Sequence, residues 1–285
     1  MSWSERRRRF RAMLAGDECF CPASVPDPLT ARIAEELGFE SAMLAGSTAS
    51  LGVLAAPDNC AITLSELAEQ ALRISRASEI PLIVDADHGY GNALNVMRTI
   101  QELETAGLAC ITIEDTWLPQ RFGPKEGFIS QAEAVGKVKA ALAARRDPDL
   151  AIAGRTTLGK GSGMGDVIER SRAFVEAGVD AIFVSGIRTR EQMDALAEHV
   201  PDTVFMLGAT PLTASRDYLA SRRVRLALQG HHQVRAAVQA IYSTLKLLRE
   251  GMPQDRLPNL ASDELMARLT READYAKAVD DFMRE

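Results

Sequence analysis

Short runs of consecutive apolar residues alternate along the chain with longer stretches in which apolar positions recur every three or four residues. The short runs cover 19–25, 41–45, 81–85, 109–114, 150–154, 181–185, 203–207 and 224–228. Several of them, such as LIVDA, CITI, AIFVS and VFML, are almost uninterrupted. Strands buried on both faces of a parallel sheet read this way, whereas a half-exposed strand would alternate. Helices are predicted between the runs. One covers 28–37 behind Asp27 as N-cap, and one covers 64–78 opening on a Thr63/Glu66 capping box. A third covers 93–106, with Leu94, Val96, Met97, Ile100 and Leu103 on one face and Gly107 just beyond. Further helices are predicted over 131–145, 166–177, 190–199, 213–221 and 233–250. The basic run Arg6 to Arg9, followed by Phe10, Met13 and Leu14, reads as the start of a surface helix with solvated arginines.

Eight strand–helix alternations predict a closed (β/α)8 TIM-type barrel, in the α/β class. The rival, a doubly wound open sheet with a dinucleotide site, lacks the GxGxxG turn that such a site needs after its first strand. Length agrees: a barrel of this kind takes about 250 residues, and the chain has 285. The expectation is one barrel domain over 1–285. Residues 251–285, with Pro253, Pro258 and helical patterns around Leu265 and Ala276, form extra C-terminal helices packed on the barrel or on a neighbouring subunit.

Composition narrows the function classes. At 46% hydrophobic residues the chain can fill a large core, which excludes global disorder. With 33 basic against 39 acidic residues and a net charge of -6, it is a poor match for nucleic-acid phosphates. No apolar run approaches the roughly 18 residues of a membrane span, and no apolar segment directly follows the N-terminal charges. Cys19, Cys21, Cys60 and Cys110 include no CxxC pair, so a reducing, cytoplasmic compartment is expected.

Catalytic groups of such a barrel sit just after the C-terminal ends of its strands. Reading those positions gives Ser47 in AGSTAS, then Asp85, Asp87 and His88 in DADHGYG, Glu114 and Asp115 in IED, Arg155, and His231. Asp85 and Asp87 share a face if strand three continues through them, and Glu114 comes from the next strand. Three converging carboxylates are costly without a cation. An oxygen-only donor set favours Mg2+ or Mn2+ over zinc. The competing explanation pairs these acids with rim lysines or arginines. Arg155 suits a bidentate clamp on a substrate carboxylate, or alternatively a structural ion pair with the same acids. His231 precedes a helix, where it donates to an anion or merely caps. The glycine-rich stretch 159–165 matches neither Walker A nor GxGxxG and reads as a loop.

With AGSTASLG, TIEDT and the Arg155 strand end, the stretch DADHGYGNALNVMRT (85–99) resembles the isocitrate lyase / phosphoenolpyruvate mutase superfamily, and within it the bacterial oxaloacetate decarboxylase group. The resemblance runs from about Phe10 to the last helices. It implies a barrel whose last helix is exchanged between paired subunits in a homotetramer. It also implies Mg2+ held by Asp85, with Asp58, Asp87 and Glu114 assisting. A 2-keto dicarboxylic acid would chelate the metal, with Ser47 on its carboxylate and Arg155 and His231 holding the substrate as the catalytic pair. The expected reaction is Mg2+-dependent decarboxylation of oxaloacetate to pyruvate and CO2 through a metal-stabilised enolate.

Departures from the superfamily pattern narrow the chemistry. Lyases of the superfamily carry a catalytic cysteine in a KKCGH or KRCGH loop. The corresponding loop here reads Gln120-Arg121-Phe122-Gly123-Pro124-Lys125, with Phe122 in the cysteine position. The KTNS-like loop of the mutases is also missing. Thr156-Thr157-Leu158 after Arg155 departs from the Thr-Asp or Thr-Asn and then Ala usual in the superfamily, and Gly208-Ala209-Thr210-Pro211 after strand seven departs from the decarboxylase pattern. They keep open a C–C or P–C bond lyase or mutase acting on another 2-hydroxy or 2-keto diacid or a phosphonate, and beyond that a non-catalytic binding barrel.

Overall fold

In the computed structural model, which describes residues 1–120, 122–123, 126–208 and 214–284, the predicted caps set the helix starts. Asp27 accepts from the Thr30 amide at 2.8 Å. Thr63 and Glu66 close the capping box reciprocally, at 3.3 and 2.8 Å. The helices are α1 (Trp3–Ala15), α2 (Pro28–Glu36), α3 (Gly46–Leu54), α4 (Leu64–Ala77), α5 (Ala93–Thr105), α6 (Gln131–Ala144), α7 (Met164–Ala177), α8 (Arg190–His199), α9 (Arg216–Ser221), α10 (His232–Arg249), α11 (Asp263–Thr270) and α12 (Glu272–Phe282). The strands are β1 (Ala23–Ser24), β2 (Ala42–Leu44), β3 (Leu82–Asp85), β4 (Cys110–Glu114), β5 (Ala151–Thr157), β6 (Ala181–Ser185), β7 (Phe205–Leu207) and β8 (Val224–Ala227).

The strands pair in parallel in sequence order, β1 to β8. Phe20, just before β1, bridges in parallel to Leu226 of β8. Its amide donates to the Arg225 carbonyl at 2.8 Å and its carbonyl accepts from the Ala227 amide at 2.9 Å, which joins the first and last strand regions. Side chains then sort by parity. Met43, Ile83, Cys110, Ala153, Phe183, Met206 and Leu226 cluster with Phe10 and Leu14 of α1. Their neighbours in sequence, among them Val84, Ile111, Ile113 and Ile152, pack with helix residues such as Leu67, Ile74, Val96, Ile100 and Leu103 in a separate cluster. Ile182, Val184, Phe205 and Leu207 do the same with Val138, Val167, Phe174 and Leu196.

Several details differ from the sequence reading. Arg6 and Arg7 are buried, at 5% and 4% exposure, rather than solvated. Arg7 donates to the carbonyls of Leu108 and Glu104 and pairs with Asp147 at 2.7 Å, so its charge is satisfied inside the fold. Second, α3 forms in a Gly/Ser/Thr-rich stretch where no helix was expected. Third, β5 runs on to Thr157, which puts Arg155 within the strand rather than after it. Of the expected 213–221 helix, α9 begins at Arg216, and residue 213 lies outside the described residues.

The chain divides into two compact units, Met1–Gly230 and His231–Glu285. The expected extension began at 251; α10 joins it in the second unit. None of the residues of α10 is buried, and Val238, Ile241, Tyr242, Leu245 and Leu248 on one of its faces are all exposed. Among the described residues no helix is long and apolar enough to cross a membrane.

Candidate active site

The site is built at the C-terminal ends of β2 to β5. β3 stops at Asp85, and the backbone then enters a tight turn in which Asp87 (φ 46°), Gly89 (φ 76°) and Tyr90 (φ 61°) are left-handed. The shared strand face expected for Asp85 and Asp87 is therefore absent, because the strand has ended. The turn itself returns Asp87 to its neighbour, and the Asp87 amide donates to Asp85 Oδ1 at 3.3 Å. A Cβ on Gly89 would lie 2.4 Å from the Val96 side chain, so both the conformation and the close packing on α5 require glycine. Two buried groups fasten the turn from the helix side. Lys137 Nζ donates to the His88 carbonyl at 3.0 Å, and Thr99 Oγ1 to the Gly89 carbonyl at 3.1 Å. Burial and then the Lys137 charge push His88 down to about 4, so its imidazole is neutral near pH 7.

Asp85, Asp87 and Glu114 are all buried. Arg155 makes an ion pair with Asp85 Oδ2 and another with Glu114 Oε2 at 2.9 Å, and its guanidinium lies 5.1 Å from the Phe183 ring centre. Thr112 Oγ1 donates to Asp85 Oδ1 at 3.1 Å, and Thr116 Oγ1 donates to Glu114 Oε1. The structure thus pairs Arg155 with two of the three acids. Burial disfavours its charge, but Asp85 and Glu114 more than offset that and hold it protonated.

One guanidinium does not neutralise three carboxylates. Asp87 is pushed well above the usual carboxylate range by burial, then by Asp85 and Glu114, against the pull of Arg155, with Asp58 adding to the rise. Cys60 is raised by burial and by Asp87 and Asp58, so it stays a thiol rather than a thiolate. Among the described residues no three His, Cys, Asp or Glu side chains form a ready metal-binding group. The donor set nevertheless fits a hard divalent cation in kind and charge: it is all oxygen and carries a formal excess of two negative charges after Arg155 is counted. Binding would require Arg155 to loosen its hold on Asp85 and Glu114.

Ser47 lies half-buried in the first turn of α3, whose N-cap, Ala45, offers no side-chain cap to the helix amides. Those amides form a natural anion site. Gly46 admits Asp87 to this helix end: a Cβ there would lie 2.9 and 3.1 Å from the two Asp87 carboxylate oxygens. Asp58 is exposed in the loop between α3 and α4. The structure therefore brings together Asp85, Asp87, Glu114 and Arg155, with Ser47 and Asp58 on flanking segments. His231 belongs to the second unit, where it is the N-cap residue of α10 without a side-chain hydrogen bond to that helix.

Sequence reasoning missed the supporting residues Thr116, Lys137 and Arg170. Arg170 pairs with Asp115 at 3.1 Å, and burial pushes Asp115 up to about 6 against Arg170 and the Thr156 hydroxyl. Parity along β4 was the available signal, since Asp115 follows an inward Glu114 and must face the helices. In the loop after β4, Arg121, Pro124 and Lys125 lie outside the described residues, while Phe122 is fully exposed. Ala209, Thr210 and Pro211 also lie outside them.

Residues 10–249 match the family model for phosphoenolpyruvate phosphomutase. An oxaloacetate decarboxylase of Rhodopseudomonas palustris (strain BisA53) is 52% identical over 272 residues, spanning 95% of this chain and 94% of its own. Among solved structures, a phosphonopyruvate hydrolase in complex with oxalate and Mg2+ superposes with a TM-score of 0.89 at 28% identity, covering 100% of both chains. An oxaloacetate acetylhydrolase bound to the inhibitor 3,3-difluorooxalacetate gives 0.85 at 26% identity, covering 100% of this chain and 99% of its own.

Proposed function

The chain belongs to the phosphoenolpyruvate phosphomutase family, and from that premise we propose that it decarboxylates oxaloacetate to pyruvate and CO2 with a divalent cation, Mg2+ or Mn2+. The observation that carries the reading is the buried cluster of Asp85, Asp87 and Glu114 with one guanidinium paired to two of them; the resemblance adds that Phe122 stands in the sequence where lyases of the superfamily carry a catalytic cysteine. Asp85, Asp87 and Glu114, with Asp58 at the edge, would hold the cation. When bound, the cation supplies positive charge for the negative charge that develops on the keto oxygen.

Losing CO2 from C4 of oxaloacetate leaves the bonding electron pair on C3, delocalised onto the keto oxygen as the enolate of pyruvate. Water then protonates C3. Neither step needs a nucleophile or a strong base, which agrees with a protonated Cys60 and a neutral His88. Ser47 and the first-turn amides of α3, which no N-cap side chain covers, would receive the carboxylate next to the keto group. Arg155, its guanidinium carbon 5.1 Å from the Phe183 ring centre, would offer donors to a dianionic substrate as it loosens from Asp85 and Glu114. The resemblance adds His231 as a further substrate contact, and a fall in kcat/KM for His231→Asn would support it.

The test is pyruvate release from oxaloacetate followed by NMR with Mg2+, against a protein-free Mg2+ blank and Asp85→Ala. The blank matters because the cation alone promotes the reaction. A wild-type rate far above the blank, falling about a hundredfold or more in Asp85→Ala, is expected. Pyruvate released only at the blank rate would overturn the reading.

The proposal extends to assembly and location. A homotetramer of paired subunits that exchange α10 would cover the exposed apolar face of that helix. Four free cysteines support a reducing cytoplasmic compartment.

A further inference from the structure

We propose that Arg170 is a positioning residue for Glu114, acting as a clasp on the outer side of the sheet that fixes both ends of the segment between Asp115 and Ile129. The inference rests on the reading of Glu114 as part of the cation-holding cluster.

Arg170 projects from α7, and its guanidinium makes three contacts at once. Nη1 pairs with Asp115 Oδ2 at 3.1 Å, Nη2 donates to the Ile129 carbonyl at 3.0 Å, and the guanidinium carbon lies over the Phe128 ring, 5.1 Å from its centre. The Asp115 side chain is completely buried and the Arg170 side chain is 16% exposed, so little water competes for the pair. One end of the segment is thereby tied through Asp115 and the other through Phe128 and Ile129.

Just inside these ends, residues 115–117 and 127–129 pair to form a closed neck. The Ile129 amide donates to the Asp115 carbonyl at 2.9 Å, Thr116 bridges antiparallel to Phe128, and the Trp117 amide donates to the Gly127 carbonyl at 2.9 Å. This neck holds the cluster from behind. Thr116 within it donates its hydroxyl to Glu114, and the Asp115 amide donates to the Arg155 carbonyl at 3.2 Å. The backbones of Glu114 and Arg155, the two residues that pair across β4 and β5, are therefore set by a neighbour that Arg170 anchors. Lysine has one point of charge and cannot satisfy a carboxylate and a carbonyl in a fixed plane while stacking on Phe128.

The test measures oxalate binding in the presence of Mg2+ by calorimetry for the full-length chain and for Arg170→Met, Glu114→Gln and the double variant. Supporting residues of this kind cost about tenfold or more in affinity when removed, so Arg170→Met is expected to weaken binding by about that factor. In the Glu114→Gln background the same substitution is expected to add almost nothing, because its effect passes through Glu114. Additive losses, or unchanged binding in Arg170→Met, would overturn the proposal, and so would a wild-type chain that binds no oxalate with Mg2+.

A second measurement, amide hydrogen exchange at Trp117 and Ile129, covers the case in which Arg170→Met folds poorly. In Arg170→Lys these amides are expected to lose protection while the rest of β4 keeps it. Unchanged protection there would count against the clasp. Pyruvate release is a separate readout: its absence in the wild type would end the decarboxylase reading while the oxalate cycle still decided the role of Arg170.

Discussion

Gly46 shows how one missing atom shapes the cluster. Alanine in a helix is favoured over glycine by up to about 1 kcal/mol, yet at this position the added carbon would press on both Asp87 oxygens. We expect Gly46→Ala to keep or raise Tm while the Mg2+ concentration needed for half-maximal turnover rises about tenfold. A titration of activity against Mg2+ checks it, and an unchanged requirement would show that Asp87 has room to move aside. Arg155 presents the opposite case, a side chain doing two things. Its removal takes the local formal charge from minus two to minus three, since Asp85, Asp87 and Glu114 would face no cation. Arg155→Met should therefore bind Mg2+ more tightly in the absence of substrate, measured calorimetrically, while kcat/KM falls about a hundredfold or more through loss of the donors proposed for the substrate. Weaker metal binding would mean that the guanidinium orders the carboxylates more than it competes for them.

At the scale of elements, α1 shows a basic run turned inward. Its side chains Phe10 and Leu14 join the cluster of inward strand residues, and that docking carries Arg6 and Arg7 inside. Arg6 Nη1 donates to the Ser75 carbonyl at 2.6 Å and its guanidinium carbon lies 4.7 Å from the Trp3 ring centre, while Arg7 is satisfied by two carbonyls and Asp147. Burial alone would raise Asp147, but donors from Arg7, the Asp149 amide and Ser4 outweigh it and bring it from 3.8 to about 2. A carboxylate with a depressed folded pKa stabilises the fold above its unfolded value and loses that contribution as pH falls through the folded one. Urea unfolding should therefore find the wild type more stable than Asp147→Asn at neutral pH. The gap should narrow from about pH 4 and be largely gone near pH 2. A constant gap over that range would mean that Asp147 acts through shape rather than charge.

At the scale of the whole molecule, the exposed residues of α10 are the ones that recur at helical spacing. Val238, Ile241, Tyr242, Leu245 and Leu248 range from 38% to 67% exposed. A face of this size is unusual on a monomer and suits an interface between copies. Tyr242→Glu together with Leu245→Glu is expected to shift the mass measured by light scattering from tetramer towards monomer. A wild-type chain that is already monomeric would remove the proposed exchange. The proposed cation belongs to this scale too, since the donors proposed for it come from separate strands and loops. Dialysis against EDTA should abolish the excess pyruvate release, and Mg2+ or Mn2+ should restore it. Activity that survives metal removal would rule out the cluster as a cation site.

Much of the fold was legible because periodicity and capping are local. Asp27, Thr63 and Glu66 act on amides within three residues, so those helix starts needed no partner elsewhere in the chain. Helix α3 was not legible, because glycine, serine and threonine have weak helix propensity and its formation depends on its place after β2. The amino-acid sequence by itself determined the eightfold alternation, the parallel buried strands and the identities of Asp85, Asp87, Glu114 and Arg155. Tertiary structure decided how they meet. A left-handed turn, not a strand pleat, returns Asp87 to Asp85; Arg155 closes on two carboxylates; and Arg170 reaches Asp115 and Ile129 from α7. Ion pairs and turns of this kind depend on distances between residues far apart in the chain, and local periodicity carries no information about those distances.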